Sequence, residues 1–397
     1  MGRERTIGFV GDVFVERESD HLEPFRPVLD VLHAPDLLFG NFEGVLSDDP
    51  EYAPSTGIPV FAPTTNVAAL APAGFGVMSL ANNHIVDCGH RGMLATRDLI
   101  REQGIATAGV GASLTEATTP AILDVDGVRV ATVAFASVFP KGYEARGNFP
   151  GLAPVRAHTI VTDPTEDVYW IPEGPLVVSS KEVAGDVEIL RDTIAAARES
   201  ADVVIASFHW GDYTRPFVVT GHERRVARIA IDAGADIVAG HHHHALRGFE
   251  WYGDKPIMYG LGHFVFDQPT LCARMDELGL SPATDDQPDL DHYGTIARRD
   301  GWPYLPLHTD TRLTMMAYVT VGEDGGTDLG FVPCQLQPDG RVEAYGVDDV
   351  DGKAVVDYLR RACESESLPV RFQEGREVAG RSTLQVVATD QELVAST

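Results

Sequence analysis

The chain has 397 residues, 44% of them hydrophobic, which is enough to bury a large core and excludes wholesale disorder. Its 31 basic and 59 acidic residues leave a net charge of −28. That balance argues against nucleic acid or an anionic membrane surface as partner, because phosphate binding needs clustered Lys and Arg.

The N-terminus carries Arg3, Glu4 and Arg5 and then enters an apolar strand, Ile7-Gly8-Phe9-Val10, that ends in Gly11-Asp12. Asp12 interrupts any signal-peptide core, and no apolar run is long enough to span a membrane, so a cytoplasmic protein without membrane insertion is expected. A second strand signal ends in Gly40-Asn41-Phe42-Glu43-Gly44, and a third in Ala81-Asn82-Asn83-His84, with Asp87 and Gly89 just beyond. Residues 90–103 read as a helix stopped by Gly104, and residues 105–110 as the next strand. Residues 121–125 and 129–134 read as a hairpin turned by Asp126-Gly127. A stretch rich in Pro, Gly and charge follows over residues 139–180, including Pro164.

The helix predicted over residues 184–200, with Val187, Leu190, Ile194 and Ala197 at helical spacing, leads into a strand ending in Phe208-His209-Trp210-Gly211. A helix over 221–233 leads into a strand that ends in Gly240 and four consecutive histidines, His241 to His244. Residues 268–310 are again Pro- and Asp-rich, with Asp285, Asp286, Pro288, Asp289 and Asp291, and read as either a lid or a surface insertion. Strands over 315–321 and 329–336, a helix over 353–363 and a strand over 384–387 close the chain. The four cysteines (Cys88, Cys272, Cys334, Cys363) are too scattered for a zinc ribbon or a disulfide framework, which points to a reducing compartment.

Helix then strand, with a polar residue directly after each apolar strand, is α/β logic, because ligands collect outside the carboxyl ends of strands. Carboxylate, amide and imidazole donors from five strand ends suit a divalent metal such as Mn, Fe or Zn. One such motif alone is usually a turn; the ordered set reads as a metal site.

The same motifs, with Leu261-Gly262-His263-Phe264-Val265-Phe266-Asp267-Gln268, resemble the CapA family of poly-γ-glutamate capsule biosynthesis proteins. That family is similar in turn to the calcineurin-like metallophosphoesterases. The resemblance covers residues 6 to about 268 and implies an αββα sandwich of two mixed sheets flanked by helices. The division expected is a core over 1–270, an insertion or lid over 271–310, and C-terminal strands and a helix over 311–397 completing the second sheet. The resemblance also assigns Asp12, Asn41 or Glu43, Asn83, His209, His242 and His244 as ligands of two divalent ions, with Glu43 able to bridge them. His84 becomes a general acid oriented by Asp87. Arg215 is a candidate clamp for a substrate carboxylate or phosphate.

This chain departs from the pattern. Metallophosphoesterases carry Asp-x-His at the first motif, where it has Asp12-Val13-Phe14. The CapA family has Pro where it has His243, and Asn where it has His263. His263 and His241 are therefore candidate additional ligands, or histidines that only support the site. Alternation along an extended strand puts His242 and His244 on one face and His241 and His243 on the other. The resemblance to the family's His-Pro-His pattern assigns the metal face to His242 and His244 and implies that His243 is dispensable, unless a turn at Gly240 reverses the parity and makes His241 and His243 the ligands. Three functions remain open: hydrolysis of an amide such as a γ-glutamyl bond in an anionic small molecule or peptide, hydrolysis of a phosphoester, or a non-catalytic assembly role.

Overall fold

Gly11 sets the first piece of the site's geometry. A Cβ there would fall 1.9 Å from the carbonyl oxygen of Gly262, so only glycine lets the N-terminal strand approach the 261–262 segment. The next residue, Asp12, donates its backbone N–H to that same carbonyl at 2.8 Å. The computed structural model describes residues 4–17, 20–54, 57–163, 176–280, 282–283, 292–322 and 325–389.

The strand Arg5–Val15 lies inside a mixed sheet of ten strands. On one side it pairs in parallel with Leu37–Phe42, which pairs with Phe75–Ser79 and then Ala106–Ala108. On the other side its first half pairs antiparallel with Leu313–Val321 and its second half in parallel with His263–Asp267. Thr327–Leu336, Leu384–Ala388 and Val370–Glu374 extend that side. The C-terminal strands therefore complete the sheet of the N-terminal strand, not the sheet that carries the histidine run.

The second sheet has six strands in the order Phe249–Tyr252, Lys255–Met258, Ile237–His241, Val203–His209, Val128–Ala136 and Ala121–Val125. Its four central strands run parallel, as expected for strands joined by helical crossovers. One hydrophobic core lies between the sheets, where Ile7, Phe9, Phe39 and Val77 meet Phe135, Phe208 and Val238. The helices Ala184–Ser200 and Gly221–Asp232 join this core through Leu190, Ile194, Val226 and Ala230. A second core covers the other face of the larger sheet, where Val10, Leu38 and Met78 meet Met93 and Ile100 of the helix Gly89–Glu102. Two facing mixed sheets flanked by helices are the expected architecture.

The two irregular stretches resolve differently. Within 139–180 the strands Ala157–Thr162 and Val177–Glu182 form an exposed antiparallel ribbon; its Pro164 lies outside the described residues. Within 268–310 a short helix, Leu271–Glu277, precedes the wall segment 293–307. The acidic residues Asp285, Asp286, Asp289 and Asp291, with Pro288, lie outside the described residues. Among the described residues no helix is long and apolar enough to cross a membrane.

Candidate metal centre

Asp12 lies inside Arg5–Val15, where the pairing shifts register; the other ligand-type residues assigned from the motifs sit at the carboxyl ends of parallel strands or in the turns after them. Asp12 and Glu43 are fully buried. Asp12 Oδ1 accepts from Asn41 Nδ2 at 2.9 Å, and Asn41 Oδ1 accepts from Asn82 Nδ2 at 3.2 Å. Asn41 is thereby engaged on both ends of its amide, and Glu43 is the freer donor of that pair. Asn82, to which the motif reading gave no role, is the organiser of this turn. It also bonds the carbonyl of Phe42 at 2.7 Å and accepts from the N–H of Ile85 at 2.9 Å. An Asn that holds the backbone two or three residues on is a turn-former, and here it aims its neighbours Asn83 and His84 into the cleft. The signal available was its place in the Asn-Asn-His triplet.

Asn83 Oδ1 lies 2.6 Å from His209 Nε2, and His209 Nε2 lies 3.6 Å from Glu43 Oε1. Glu43, His209 and His242 each present a ligand atom within 4.8 Å of the others. His209 is fixed by its neighbour Trp210, whose ring stacks on Phe208 and whose Nε1 donates to the carbonyl of Tyr259 at 3.0 Å.

The histidine run does not stay extended. The strand ends at His241, and His242 and His244 have φ of +93° and +61°. The alternation of faces expected of an extended strand therefore stops at His241. Three rings face the site: His241 Nδ1 lies 3.2 Å from Asp12 Oδ1, His242 packs 4.8 Å from His209, and His244 packs 4.8 Å from His263. His263 stacks on Phe266 at 4.0 Å. The fourth ring, His243, turns away and bonds Glu223 Oε1 at 2.9 Å. Glu223 is held by the capping box of its helix, where its other oxygen accepts from the N–H of Thr220 at 2.6 Å. Gly211 makes room for that ring: it has φ +89°, and a Cβ there would fall 2.1 Å from His243 Nε2. His243, expected to be dispensable, is a buried structural partner.

Buried polar atoms are normally paired. Here Asp12 Oδ2, both Glu43 oxygens, His209 Nδ1, His242 Nδ1 and both ring nitrogens of His241 and His263 make no hydrogen bond. Burial pushes the Glu43 carboxyl up, and the carboxylates of Asp12 and Asp87 push it further. Burial would also raise Asp12, but the imidazoles around it hold it well below the usual range. Burial lowers His242 to about 3 and His263 to about 4, which keeps both rings neutral. Unpartnered carboxylate oxygens and neutral imidazoles converging in a dry pocket are the donor set of a divalent cation, and the residues present fit one.

The cleft above this cluster has a volume of about 240 Å³. His84 lines it, with Nδ1 2.7 Å from Asp87 Oδ2, and Asp87 is pinned by the N–H of Val60 at 2.7 Å. Tyr213, Phe266, Tyr293, Ile296 and Leu307 give it largely apolar walls. Arg215 is not part of it. Its Nε pairs with Asp212 Oδ2, three residues back, at 2.7 Å, and its side chain is exposed. The described residues that line the cleft include no Lys or Arg. Cys88 is buried, and burial raises its thiol to about 11, which makes it a filler rather than a nucleophile.

The chain is 32% identical over 273 residues to "PGA biosynthesis protein CapA" of Bacillus subtilis, covering 66% of this chain and 63% of that protein. It is 30% identical over 281 residues to "Capsule biosynthesis protein CapA" of Bacillus anthracis, covering 66% and 60%. A "Probable polyglutamine synthesis accessory protein" of Mycobacterium tuberculosis is 32% identical over 250 residues, covering 62% and 60%. The matched region thus spans about three fifths of each relative's length. A crystal structure of a novel phosphatase from Mycoplasma pneumoniae superposes with a TM-score of 0.43 at 12% identity, over 87% of this chain and 93% of that chain, too remote to bear on function. The family profile described as bacterial capsule synthesis protein PGA_cap matches residues 6–268, the segment that carries every ligand-type residue of the site, and the chain belongs to that family.

Proposed function

We propose that the protein is a metal-dependent hydrolase that cleaves an amide bond of the γ-glutamyl type in a small molecule or peptide. The observation that carries this reading is the His84–Asp87 pair, set beside a cluster of unpartnered buried ligands and facing a cleft. A purely structural cation would need the ligands but not an oriented imidazole at the cleft wall. Glu43, Asn83, His209 and His242 would hold one divalent ion, and Asp12 with His241 would contribute to a second. Such ions, when bound, activate water and polarise the bond to be broken.

The chain's own residues supply the rest. The Asp87 carboxylate can only accept, so His84 Nδ1 carries a proton and Nε2 is the nitrogen available to the substrate. A protonated His84 donates from Nε2 to the leaving amine nitrogen, a step that amides need because an amide anion is a very poor leaving group. The apolar walls exclude bulk water from the bond. The names of two relatives refer to capsule and polyglutamine synthesis, which supports a substrate of the glutamyl or glutaminyl class. The test is metal analysis of the purified chain, followed by reconstitution with Mn, Fe or Zn and assay on γ-glutamyl anilides and on nitrophenyl phosphodiesters. Metal-dependent aniline release is expected. Phosphodiester cleavage without aniline release would replace this reading with the phosphoesterase one.

A further inference from the structure

A second polar chain lies one strand away from the metal ligands and is not used by them. Ser137 directly follows the strand Val128–Ala136, and its N–H donates to the carbonyl of His209 at 2.9 Å. Its side chain faces another cavity. Ser137 Oγ lies 2.7 Å from His222 Nε2, and His222 Nδ1 lies 3.1 Å from Glu182 Oε1. His222 sits in the first turn of the helix Gly221–Asp232, and Glu182 ends the exposed ribbon. Two elements distant in sequence therefore meet at the serine. Arg225 holds the Glu182 carboxylate through Nε at 3.0 Å, which fixes the acid in place.

The direction of the hydrogen bonds follows from the acid. A carboxylate only accepts, so a neutral His222 carries its proton on Nδ1 and offers a lone pair on Nε2 to the serine hydroxyl. The same hydroxyl has an alternative acceptor in the carbonyl of Val155 at 3.0 Å. The cavity beside it has a volume of about 560 Å³, and Ser137, Lys141, Arg156 and His158 are among its lining residues. Phe139 lines this cavity and Pro140 lines the metal cleft, so one short segment separates the two.

We propose that Ser137, His222 and Glu182 form a second, metal-independent site that accepts an acyl group from an ester onto Ser137 Oγ. Nucleophile, base and orienting acid stand within hydrogen-bond reach of one another, the arrangement that activates a serine on unrelated folds. In the acylation step the Oγ–C bond forms and the ester C–O bond breaks. The hydroxyl proton passes to His222 Nε2, and the leaving alcohol recovers it there; an acidic phenol instead departs as the phenolate, and His222 then gives the proton to solvent. Water then releases the acid, with His222 again taking and returning the proton. Arg156 is paired with Asp186 and Glu144, so Lys141 and His158 are the basic side chains left to meet an ester's substituent. Glu182 is a positioning residue, acting through His222.

The experiment is acetylation by p-nitrophenyl acetate of the full chain after metal removal with a chelator, so that the metal cleft contributes nothing. Nitrophenolate release is followed, and the adduct is located by peptide mass mapping. The expected result is one acetyl group on Ser137, absent in Ser137→Ala, with a rate about 10²-fold lower in His222→Gln. Glu182→Gln should lower the maximal rate and leave the half-saturating concentration unchanged, a split that general loosening of the fold would not give. Circular dichroism and metal uptake equal to those of the parent chain certify each variant as folded; if His222→Gln fails that check, the Glu182→Gln result decides. An adduct elsewhere, no adduct, or acetylation at the parental rate in the folded His222→Gln or Glu182→Gln variant would overturn the proposal.

Discussion

Two buried carboxylate–imidazole pairs, Glu223 with His243 and Glu43 with His209, differ in one respect. Glu223 and His243 bond each other, and Glu223 takes further hydrogen bonds from Thr220, so its charge is compensated locally. Burial alone would raise its pKa, yet His243 and Thr220 hold it below the usual carboxylate range. Glu43 and His209 approach only to 3.6 Å, neither Glu43 oxygen has a partner, and burial raises the Glu43 pKa. The same side-chain types thus build a finished structural pair in one place and an unfinished site in the other. What separates scaffold from site here is hydrogen-bond satisfaction, not residue identity or burial.

Ligand removal should expose this contrast most sharply. His209→Ala or Glu43→Ala should cut metal affinity by more than the roughly 10–100-fold typical of residues that only orient a ligand, and activity should vanish with it. His243→Ala should leave metal stoichiometry intact. Calorimetric titration of all three variants breaks the comparison if His243→Ala loses metal as the others do.

Next in size is His84→Ala, which should keep full metal content and reduce turnover by about 10²–10⁴-fold. Equal loss of metal and turnover would make His84 a ligand. A smaller effect comes from pH. Native His242 and His263 titrate near 3 and 4, whereas in the unfolded chain they return to ordinary values near 6.5. The unfolded state therefore binds more protons below pH 6.5, and stability present above that pH is lost as pH falls toward 4. The expected slope is about 1.4 kcal/mol per pH unit for each such histidine. Thermal melting of the chelated protein from pH 7 to 5 measures it, and a flat profile would contradict the burial of neutral rings. Smallest is the structural penalty of His243→Ala, about 1–3 kcal/mol for leaving Glu223 buried without its partner, read as a lower melting temperature.

Much of this site was legible because the ligands stand at strand ends, where local sequence fixes both the apolar run and the polar residue that stops it. Glu43, Asn83, His84 and His209 stand where that rule puts them, whereas Asp12 lies inside its strand. The histidine run was only partly legible. Four identical side chains carry no information about which ring turns away, and the answer depends on Glu223, twenty residues upstream, and on positive φ at two histidines. Arg215 misled for a related reason: spacing placed it near His209, but its guanidinium turns outward to Asp212 and away from the cleft. The Ser137–His222–Glu182 chain joins two strand or loop ends and a helix turn and leaves no motif at all. The sheet membership of the C-terminal strands was equally hidden, since pairing partners far apart in sequence are not written in either strand.

That last pairing has a consequence for how the protein is made. The strand that carries Asp12 is synthesised about 300 residues before its antiparallel partner, the strand Leu313–Val321. Until those residues are synthesised, Arg5–Phe9 offers an open apolar edge to any other chain nearby, a known hazard of long-range pairing. A fragment ending at residue 268 would contain every ligand-type residue of the candidate metal site and still lack the strand that closes this edge. Such a fragment should aggregate during expression, and co-expressing residues 309–389 as a separate polypeptide should recover part of it in soluble form.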